Sequence, residues 1–269
     1  MTKEKNVFKW IGGKYLIKDK IISLLPPKIK IYSEPFLGAG TIFLNLKPQK
    51  ALLNDLNTDI INFFNVLKFN VYELIESLNN HVNSKEHFYK IRDIERDLRE
   101  YNKVNNIEKA SRFLFLNKSC FCGTYRVNKN GCFNTGYGFY KTIDFYPELL
   151  KDIHNYLNNS NNTFYNLDFE YFINNTITKN TFFFLDPPYD KLNNSFYDQY
   201  TKYGFKRNEQ DRLKNICDEL TRNGNKFILT NSKTDYLLNL YKNYEIIEIT
   251  NRLGTKHKKE CKELIIKNY

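Results

Sequence analysis

The stretch TFFFLDPPYDK at residues 181–191 joins an apolar run to a rigid acidic corner. Residues 181–185 are short, continuous and aromatic-rich, which is typical of a strand buried on both faces of a sheet. The corner DPPY at residues 186–189 follows directly, and its two prolines restrict the backbone dihedral φ. Because ligands of open α/β sheets bind outside the carboxyl ends of the strands, this sequence predicts a binding site at the end of a buried strand.

Strand and helix patterns alternate on both sides of this corner. Runs typical of strands lie at residues 29–36, 50–55, 162–169, 226–232, 244–250 and 262–269. Helical patterns lie between them, for example at residues 14–25 and 207–223. Strands that alternate with helices predict a mostly parallel, Rossmann-like α/β sheet.

The middle of the chain interrupts this alternation. Residues 57–117 show helical periodicity with almost no strand pattern. Residues 119–141 then alternate aromatic and polar residues around Asn130-Gly131, a dipeptide typical of β-hairpin turns. The block of residues 60–144 is therefore predicted to be a mostly helical insert, carrying a hairpin, in one sheet domain.

The chain is strongly basic, because 41 Lys and Arg residues outnumber 30 Asp and Glu residues and give a formal net charge of +11. This charge favours a polyanionic partner, nucleic acid first and an acidic membrane surface second, and the alternative is a basic protein without such a partner. No apolar stretch approaches the roughly 18 residues of a membrane span, and no signal-peptide pattern opens the chain. The five cysteines contain no C-x-x-C pair, which fits a reducing cytoplasm. The four histidines are scattered and predict no metal site.

The segment SEPFLGAGT at residues 33–41 lies between a predicted strand and a predicted helix. Gly38 and Gly40 would permit a tight turn and the close approach of a ligand. Asp55 ends the next predicted strand, 17 residues after Gly38, near the spacing at which an acidic residue meets a ribose. This pattern favours nucleoside binding. The alternatives are a plain turn with Asp55 as a helix N-cap, and a dehydrogenase, whose third glycine is replaced here by Phe43.

The corner at residues 186–189 offers two acceptors beside an aromatic face. Asp186 contributes a carboxylate, Pro187 contributes a carbonyl, and Tyr189 contributes a flat ring for stacking. Together they would bind an amino group on a planar heterocycle and hold its hydrogens, so that the nitrogen lone pair becomes available for reaction. The alternative is a structural turn in which Asp186 caps a helix.

Five features resemble, in order, the Dam-like DNA adenine methyltransferases: KWIGGK (9–14), EPFLGAG (34–40), NDLN (54–57), the aromatic hairpin, and DPPY (186–189). The resemblance covers essentially the whole chain, and its order of motifs is similar to that of the alpha-type amino-methyltransferases. It implies an S-adenosylmethionine-dependent enzyme that methylates the exocyclic amino group of adenine in duplex DNA. The catalytic domain would comprise residues 1–59 and 145–269, and residues 60–144 would form a target-recognition insert.

Carried over residue by residue, the resemblance implies a cofactor site and a catalytic corner. S-adenosylmethionine would contact Trp10, Lys14, Phe36, Gly38, Gly40, Asp55, Asp168, Phe169 and Asp186. The catalytic residues would be Asp186, Pro187 and Tyr189, with no metal ion. From the residues alone, Trp10 and Lys14 also fit a core tryptophan and a solvated lysine. They are four residues apart, so a helical start to the chain would place them on one helix face.

The resemblance also implies a DNA-binding surface formed by Lys9, Phe121, Thr124, Arg126, Lys141 and Tyr200. The hairpin rings of Tyr125 and Phe133 would stack or wedge against DNA bases. Residues 191–206 resemble a loop that closes over the target base, with Tyr200 and Phe205 at its aromatic positions. The alternative is an exposed β-ribbon that does not bind DNA.

GATC is the leading candidate for the methylated site. Lys9 matches the family's reader of the first guanine, and Arg126 matches its reader of the guanine opposite the final cytosine. Cys122, Thr124 and Gly136 stand where asparagine, leucine and proline are usual, so another short adenine-containing site is the alternative. The target adenine would be flipped out of the duplex, because its amino group is unreachable in the stack.

Two other functions remain open from the sequence. One is a methyltransferase that acts on RNA or on a protein glutamine, and the other is a catalytically inactive nucleic-acid-binding module. Intact Asp186 disfavours the inactive module, and the long insert with its basic hairpin disfavours a small or protein substrate. We expect a cytoplasmic monomer that binds duplex DNA and no membrane, and a cognate restriction endonuclease is a further candidate partner.

Overall fold

The computed structural model describes residues 6–190, 204–253 and 259–269, and these form one sheet with helices packed against it. The strands are β1 Ile31–Glu34, β2 Lys50–Asn54, β3 Asn161–Tyr165, β4 Thr181–Leu185, β5 Lys226–Ser232, β6 Glu245–Leu253 and β7 Lys259–Lys267. Their order across the sheet is β3-β2-β1-β4-β5-β7-β6. The strands β1 to β5 pair in parallel, and β7 runs antiparallel to β5 and β6. The predicted Rossmann-like α/β fold is confirmed.

Strand β4 is buried on both faces, as its continuous apolar sequence predicts. Phe182 and Phe184 belong to one hydrophobic cluster, whereas Phe183 and Leu185 belong to another. Successive side chains of a strand point to opposite faces, so the two clusters lie on the two sides of the sheet. A central strand covered on both faces leaves no position for an exposed polar side chain, which accounts for the run TFFFL.

The strand order reverses between β1 and β4. Register places Ile31 opposite Thr181 and Ser33 opposite Phe183, so both strands end at the same edge of the sheet. From β1 the chain proceeds outward to β2 and β3, and from β4 it proceeds in the other direction to β5. In open α/β sheets such a reversal is where ligands bind. The glycine turn follows β1 and the DPPY corner follows β4, so both predicted sites lie at this point.

The helices within the described residues lie mostly between the strands or in the long segment between β2 and β3. They are α1 Lys18–Ser23, α2 Thr41–Leu46, α3 Thr58–Phe69, α4 Val71–Asn79, α5 Lys85–Asp93, α6 Leu98–Lys103, α7 Asn106–Ser119, α8 Pro147–Asn158, α9 Phe169–Thr176, α10 Arg207–Arg222 and α11 Asp235–Leu240. Polar N-cap residues explain where several of these helices begin. Asn57 accepts N–H groups at the start of α3, and Asn105 forms a capping box with Glu108 at the start of α7.

Two local predictions differ from the structure. The predicted helix at residues 14–25 is a 3₁₀ turn at Lys14–Leu16 followed by the short α1. Trp10 therefore precedes any helix, and the prediction that it shares a helix face with Lys14 is wrong. The reason is local, because Gly12 and Gly13 precede Lys14, and Gly12 adopts a positive φ of 80° that interrupts helical geometry.

The hairpin at residues 119–141 folds back at the predicted turn, where Gly131 has a φ of 84°. Its two arms do not form regular strands, because pairing is limited to bridges between Cys120 and Tyr137 and between Val127 and Phe133. Cys122 and Phe139 also adopt positive φ, which interrupts an extended strand. Side-chain contacts must therefore fix much of this segment.

None of the helices in the described part of the chain has both the length and the apolar composition that a membrane span requires. The same residues hold no group of three or more His, Cys, Asp and Glu side chains arranged to bind a metal ion.

Candidate active site

The glycine turn after β1 is held by Asp55. Gly38 and Gly40 adopt φ values of 49° and 63°, which glycine tolerates and other residues rarely adopt. The N–H of Gly38 donates to Oδ2 of Asp55 at 2.8 Å. A Cβ atom on Gly38 would lie 2.8 Å from Cδ1 of Trp10, so a larger residue would displace the indole. Turn, carboxylate and indole thus form one unit at the ends of two neighbouring strands.

Asp55 braces this turn and does not cap the following helix. Its Oδ1 accepts a hydrogen bond from the N–H of Asn57 at 2.9 Å, and Asn57 is the N-cap of α3. The alternative in which Asp55 serves as a helix N-cap is therefore wrong. Burial raises the pKa of Asp55 to about 6, although the N–H groups of Asn57 and Gly38 lower it in part.

Three aromatic rings gather at the same edge of the sheet. The ring centroid of Phe36 lies 5.3 Å from that of Phe169 and 5.9 Å from that of Phe205. Asp168 accepts hydrogen bonds from two backbone N–H groups in the first turn of α9. One of its oxygens, Oδ1, also lies 2.9 Å from Nη2 of Arg212. The structure therefore brings Phe169 to Phe36, whereas the contacts of Asp168 are with the start of α9 and with Arg212.

The carboxylate of Asp186 is held by two polar side chains. Its Oδ1 lies 2.7 Å from Nζ of Lys14 and accepts a hydrogen bond from Oγ1 of Thr230 at 2.6 Å. Lys14 is buried, its ammonium also donates to the carbonyl of Gly12, and its Nζ lies 4.6 Å from the centroid of the Tyr189 ring. Burial raises the pKa of Asp186, and the neighbouring Lys14 and Thr230 lower it in part. Asp186 is thus a fixed acceptor at the end of β4.

Buried amides hold the backbone of the corner. Nε2 of Gln210 donates to the carbonyl of Pro188 at 2.9 Å, and Nδ2 of Asn231 donates to Oε1 of Gln210 at 3.1 Å. Oδ1 of Asn231 in turn accepts from the N–H of Asp190 at 2.9 Å. Both amide side chains are fully buried, and buried polar groups in native proteins are nearly always paired. These buried hydrogen bonds therefore fix the backbone of the corner.

Four residues that position the corner were missed from the sequence: Gln210, Thr230, Asn231 and Glu263. Thr230 and Asn231 follow the apolar run FIL of β5, beside β4, and this change from apolar to polar was a usable signal. Gln210 and Glu263 carried no such signal. Glu263 reaches the hydroxyl of Tyr189, at 3.0 Å, only because β7 turns back antiparallel to β5.

The structure brings Lys9 and the hairpin together. The backbone N–H and carbonyl of Lys9 bond with the amide of Asn117 at 3.0 Å and 2.8 Å, and the Lys9 side chain packs against Gly123. Tyr200 lies outside the described residues. The other predicted DNA-binding side chains are exposed or half-exposed: Lys9, Phe121, Thr124, Arg126 and Lys141.

The prediction that Tyr125 and Phe133 stack or wedge against DNA bases is wrong for the conformation observed. Both rings are buried, with their centroids 5.5 Å apart. The Tyr125 ring also lies 5.9 Å from Phe113 of α7, and its hydroxyl bonds to Asp59 of α3. They face inward because the irregular hairpin packs on these helices and uses the two rings as its core contacts. Two other hairpin rings can reach a partner, because Phe121 is 64% exposed and Phe139 is 72% exposed.

In this sheet β7 runs antiparallel to β5 and β6, and the glycine turn and the acidic corner lie at the switch point. These features together define the class of α/β methyltransferases. The chain belongs to the D12 class N6 adenine-specific DNA methyltransferase family, whose model matches residues 10–254. The predicted resemblance and enzyme class are thereby confirmed. The family assignment also disfavours the alternatives of an RNA or protein substrate and of a module without activity.

Curated relatives cover nearly the whole chain. It is 37% identical to the Type II methyltransferase M1.LlaDCHI of Lactococcus lactis subsp. cremoris, over 97% of this chain and 94% of the relative. It is 34% identical to the Type II methyltransferase M.MjaIII of Methanocaldococcus jannaschii, over 98% of this chain and 99% of the relative. It is 29% identical to the DNA adenine methylase of Salmonella typhi, over 87% of this chain and 83% of the relative.

Proposed function

We propose that the chain transfers a methyl group from S-adenosylmethionine to the exocyclic amino group of an adenine flipped out of duplex DNA. One observation carries this proposal: the glycine turn with Asp55 and the corner with Asp186 meet at the switch point between β1 and β4. The glycine turn with Asp55 suits a nucleoside, and the corner with Asp186 suits an amino group on a planar ring. Two such sites at one edge of the sheet support a reaction between a bound nucleoside cofactor and a bound amino group.

The residues present fit S-adenosylmethionine, which would supply an electrophilic methyl group. Asp55 offers acceptor oxygens for ribose hydroxyls, and the rings of Phe36 and Phe169 offer apolar surface for an adenine. Gly38 and Gly40 supply the positive φ values of the turn, and the missing Cβ of Gly38 leaves room for the Trp10 indole. The remaining proposed cofactor residues are Trp10, Lys14, Asp168 and Asp186.

The proposed reaction at the corner needs orientation of the amino group more than a strong base. Oδ1 of Asp186 already faces Lys14 and Thr230, so we assign Oδ2 to one hydrogen of the amino group and the Pro187 carbonyl to the other. Tyr189 would stack on the adenine. The amino nitrogen loses its proton readily once it carries the methyl group, so positioning supplies much of the rate.

The recognition of DNA is assigned to the insert. We propose that residues 60–144 bind DNA beside a catalytic domain formed by residues 1–59 and 145–269, with Lys9 and Arg126 reading the outer guanines of GATC. Phe121, Thr124, Lys141 and Tyr200 complete the proposed surface. The names of the Type II relatives support a cognate restriction endonuclease as a functional partner, and a monomer is the proposed state in solution.

The experiment that tests this function is incubation of the chain with plasmid DNA and radiolabelled S-adenosylmethionine, followed by nucleoside analysis and single-molecule sequencing. We expect label in N6-methyladenine, confined to one short motif. Label in methylcytosine, or no label in the DNA, would contradict the proposal. A motif other than GATC would contradict only the proposed site.

Cofactor affinity is expected to fall at acidic pH. The pKa of Asp55 is about 6, and the ionised carboxylate is the better acceptor for ribose hydroxyls. The dissociation constant for S-adenosylhomocysteine, measured by calorimetry, should therefore rise about tenfold per pH unit below 6 and stay flat above it. Asp55→Asn should bind more weakly at pH 7 and show no such slope, and an unchanged slope in this variant would refute the role of Asp55.

Protein stability should respond to Asp55 with the opposite sign. Burial raises the folded-state pKa above its ordinary value of 3.8, so the folded protein favours the protonated carboxyl. This contribution to the free energy of unfolding is complete below about pH 4 and is lost as the pH rises through 6. Thermal unfolding of wild type and Asp55→Asn between pH 4 and 7 measures it.

A further inference from the structure

The buried ring of Tyr125 connects the rest of the hairpin to the cofactor turn, the glycine turn at residues 38–40. Its centroid is 5.1 Å from that of Trp10, and the Trp10 indole in turn contacts Gly38, where a Cβ atom would be 2.8 Å from Cδ1. On its other side the ring packs against Phe133. A continuous stack of side chains thus connects the turn proposed to hold the cofactor with the segment proposed to read DNA.

A second connection runs through hydrogen bonds. The hydroxyl of Tyr125 donates to Oδ2 of Asp59 at 2.9 Å. The N–H of Asp59 donates to Oδ1 of Asn57 at 3.0 Å, and the N–H of Asn57 donates to Oδ1 of Asp55 at 2.9 Å. Burial raises the pKa of Tyr125 well above its ordinary value, so the hydroxyl stays protonated and keeps donating. Asp55, which braces Gly38, is therefore reached from Tyr125 by two routes.

Tyr125 sits in the chain directly between Thr124 and Arg126, two residues of the proposed DNA-binding surface. The hairpin has only isolated backbone bridges, so its local conformation depends on side-chain anchors of this kind. Segments with few backbone ladders open at low free-energy cost. The Tyr125 ring and the hydrogen bond from the Asn134 N–H to the Arg126 carbonyl together set the direction in which Arg126 leaves the backbone.

We propose that Tyr125 is a positioning residue that couples the cofactor turn to DNA reading. A ligand held by Gly38 and Asp55 stabilises Trp10 and Asn57, and these stabilise the hairpin conformation in which Arg126 reads DNA. By linkage, specific DNA tightens cofactor binding by the same factor. This inference rests on the proposed cofactor and DNA sites, and it adds a residue that contacts neither ligand.

The experiment measures coupling in binding, without turnover. The chain contains a single tryptophan, so the fluorescence of Trp10 reports directly on this contact. S-adenosylhomocysteine is titrated with and without a duplex that carries the wild-type methylation site, and again with a duplex that lacks the site. In wild type we expect the specific duplex to tighten S-adenosylhomocysteine binding about fivefold or more, and the duplex without the site to have little effect.

Two single variants and a control isolate the hydroxyl. Tyr125→Phe keeps the ring and removes the donor, and it is expected to reduce the coupling factor about threefold or more, toward one, while the affinity for S-adenosylhomocysteine alone stays within about twofold of wild type. Asp59→Ala should lose the same coupling, and the double variant should lose no more than either single one. Tyr137→Phe is the matched control, because Tyr137 is also buried in the hairpin but its hydroxyl bonds to Asn83, away from the turn.

The outcomes separate this inference from the function on which it rests. Wild type that binds both ligands without coupling, or Tyr125→Phe with full coupling, would overturn the role of Tyr125 and leave the proposed function intact. An equal loss in Tyr137→Phe would also overturn it, since the effect would then be general loosening of the hairpin. Wild type that fails to bind S-adenosylhomocysteine or duplex DNA would overturn the proposed function and this inference with it.

Discussion

Replacement of Asp186 by alanine is expected to lower the turnover number about 100- to 1000-fold, the usual cost of losing an oriented polar contact at a reacting centre. The carboxylate stands at the end of β4, fixed by Lys14 and Thr230, and it is the charged acceptor of the corner. Single-turnover methylation with saturating duplex and radiolabelled S-adenosylmethionine measures the effect. The affinity for duplex DNA should change little, because Asp186 is not one of the residues proposed to form the DNA-binding surface.

The alanine variant has a second consequence that the measurement must separate. Lys14 is only 4% exposed, and Asp186 is its carboxylate partner. Removing one member of a buried ion pair commonly destabilises a protein by about 3–5 kcal/mol. Thermal unfolding must therefore accompany the kinetics, at a temperature where the variant is folded.

Two further variants make the Asp186 prediction decisive. Asp186→Asn keeps an acceptor beside Lys14 and the volume of the side chain, so it should retain more stability than the alanine variant and still lose most turnover. Asp152→Ala, at an exposed position on α8, is the matched control and should behave as wild type. Turnover of folded Asp186→Ala within tenfold of wild type would refute the assignment of Asp186.

The parts of this site that follow directly from sequence are those built from adjacent residues. The glycine turn and the DPPY corner each end a strand, and each combines a backbone constraint with a polar group within a few residues. Strand alternation then brings both to one edge, because parallel strands share their carboxyl ends. Residues that reach the corner from a distant part of the chain, such as Gln210 and Glu263, depend on the register of β7 and the packing of α10, which no local pattern encodes.

The hairpin shows the other limit of sequence patterns. Alternation of aromatic and polar residues predicted rings on an exposed ribbon, yet Tyr125 and Phe133 are buried. Alternation assigns residues to two faces, but which face meets the protein depends on tertiary packing, here on α3 and α7. Arg126, the neighbour of Tyr125, is exposed as alternation requires. Phe121 is exposed as well, although alternation would place it on the face of Tyr125, because the 3₁₀ turn at Phe121–Gly123 and the positive φ of Cys122 interrupt the extended chain between them.

Arg126→Ala is expected to relax discrimination at one base pair of the methylated site by about 1–3 kcal/mol, which corresponds to roughly 5- to 150-fold. An arginine can donate two parallel hydrogen bonds to O6 and N7 of guanine, and alanine can donate none. Arg126 is exposed beside the turn of the hairpin, and its carbonyl accepts from the N–H of Asn134 at 2.8 Å. The backbone position of the reader is thus set, and the substitution removes only the side chain.

The ratio of kcat/KM values for duplexes with single base-pair changes measures this discrimination. Two comparison variants, Lys141→Ala and Arg126→Lys, distinguish loss of base reading from loss of charge. Lys141→Ala removes an exposed charge assigned to phosphate, so it should weaken methylation of all duplexes alike, since phosphate contacts carry no sequence information directly. Arg126→Lys keeps the charge but cannot donate in the bidentate geometry, so it should resemble Arg126→Ala in discrimination and wild type in salt dependence. If Arg126→Ala lowered kcat/KM equally for all duplexes and left every ratio between them unchanged, Arg126 would contact the DNA phosphate backbone and not a base. The base reading would then have to be assigned to Lys9 and Thr124.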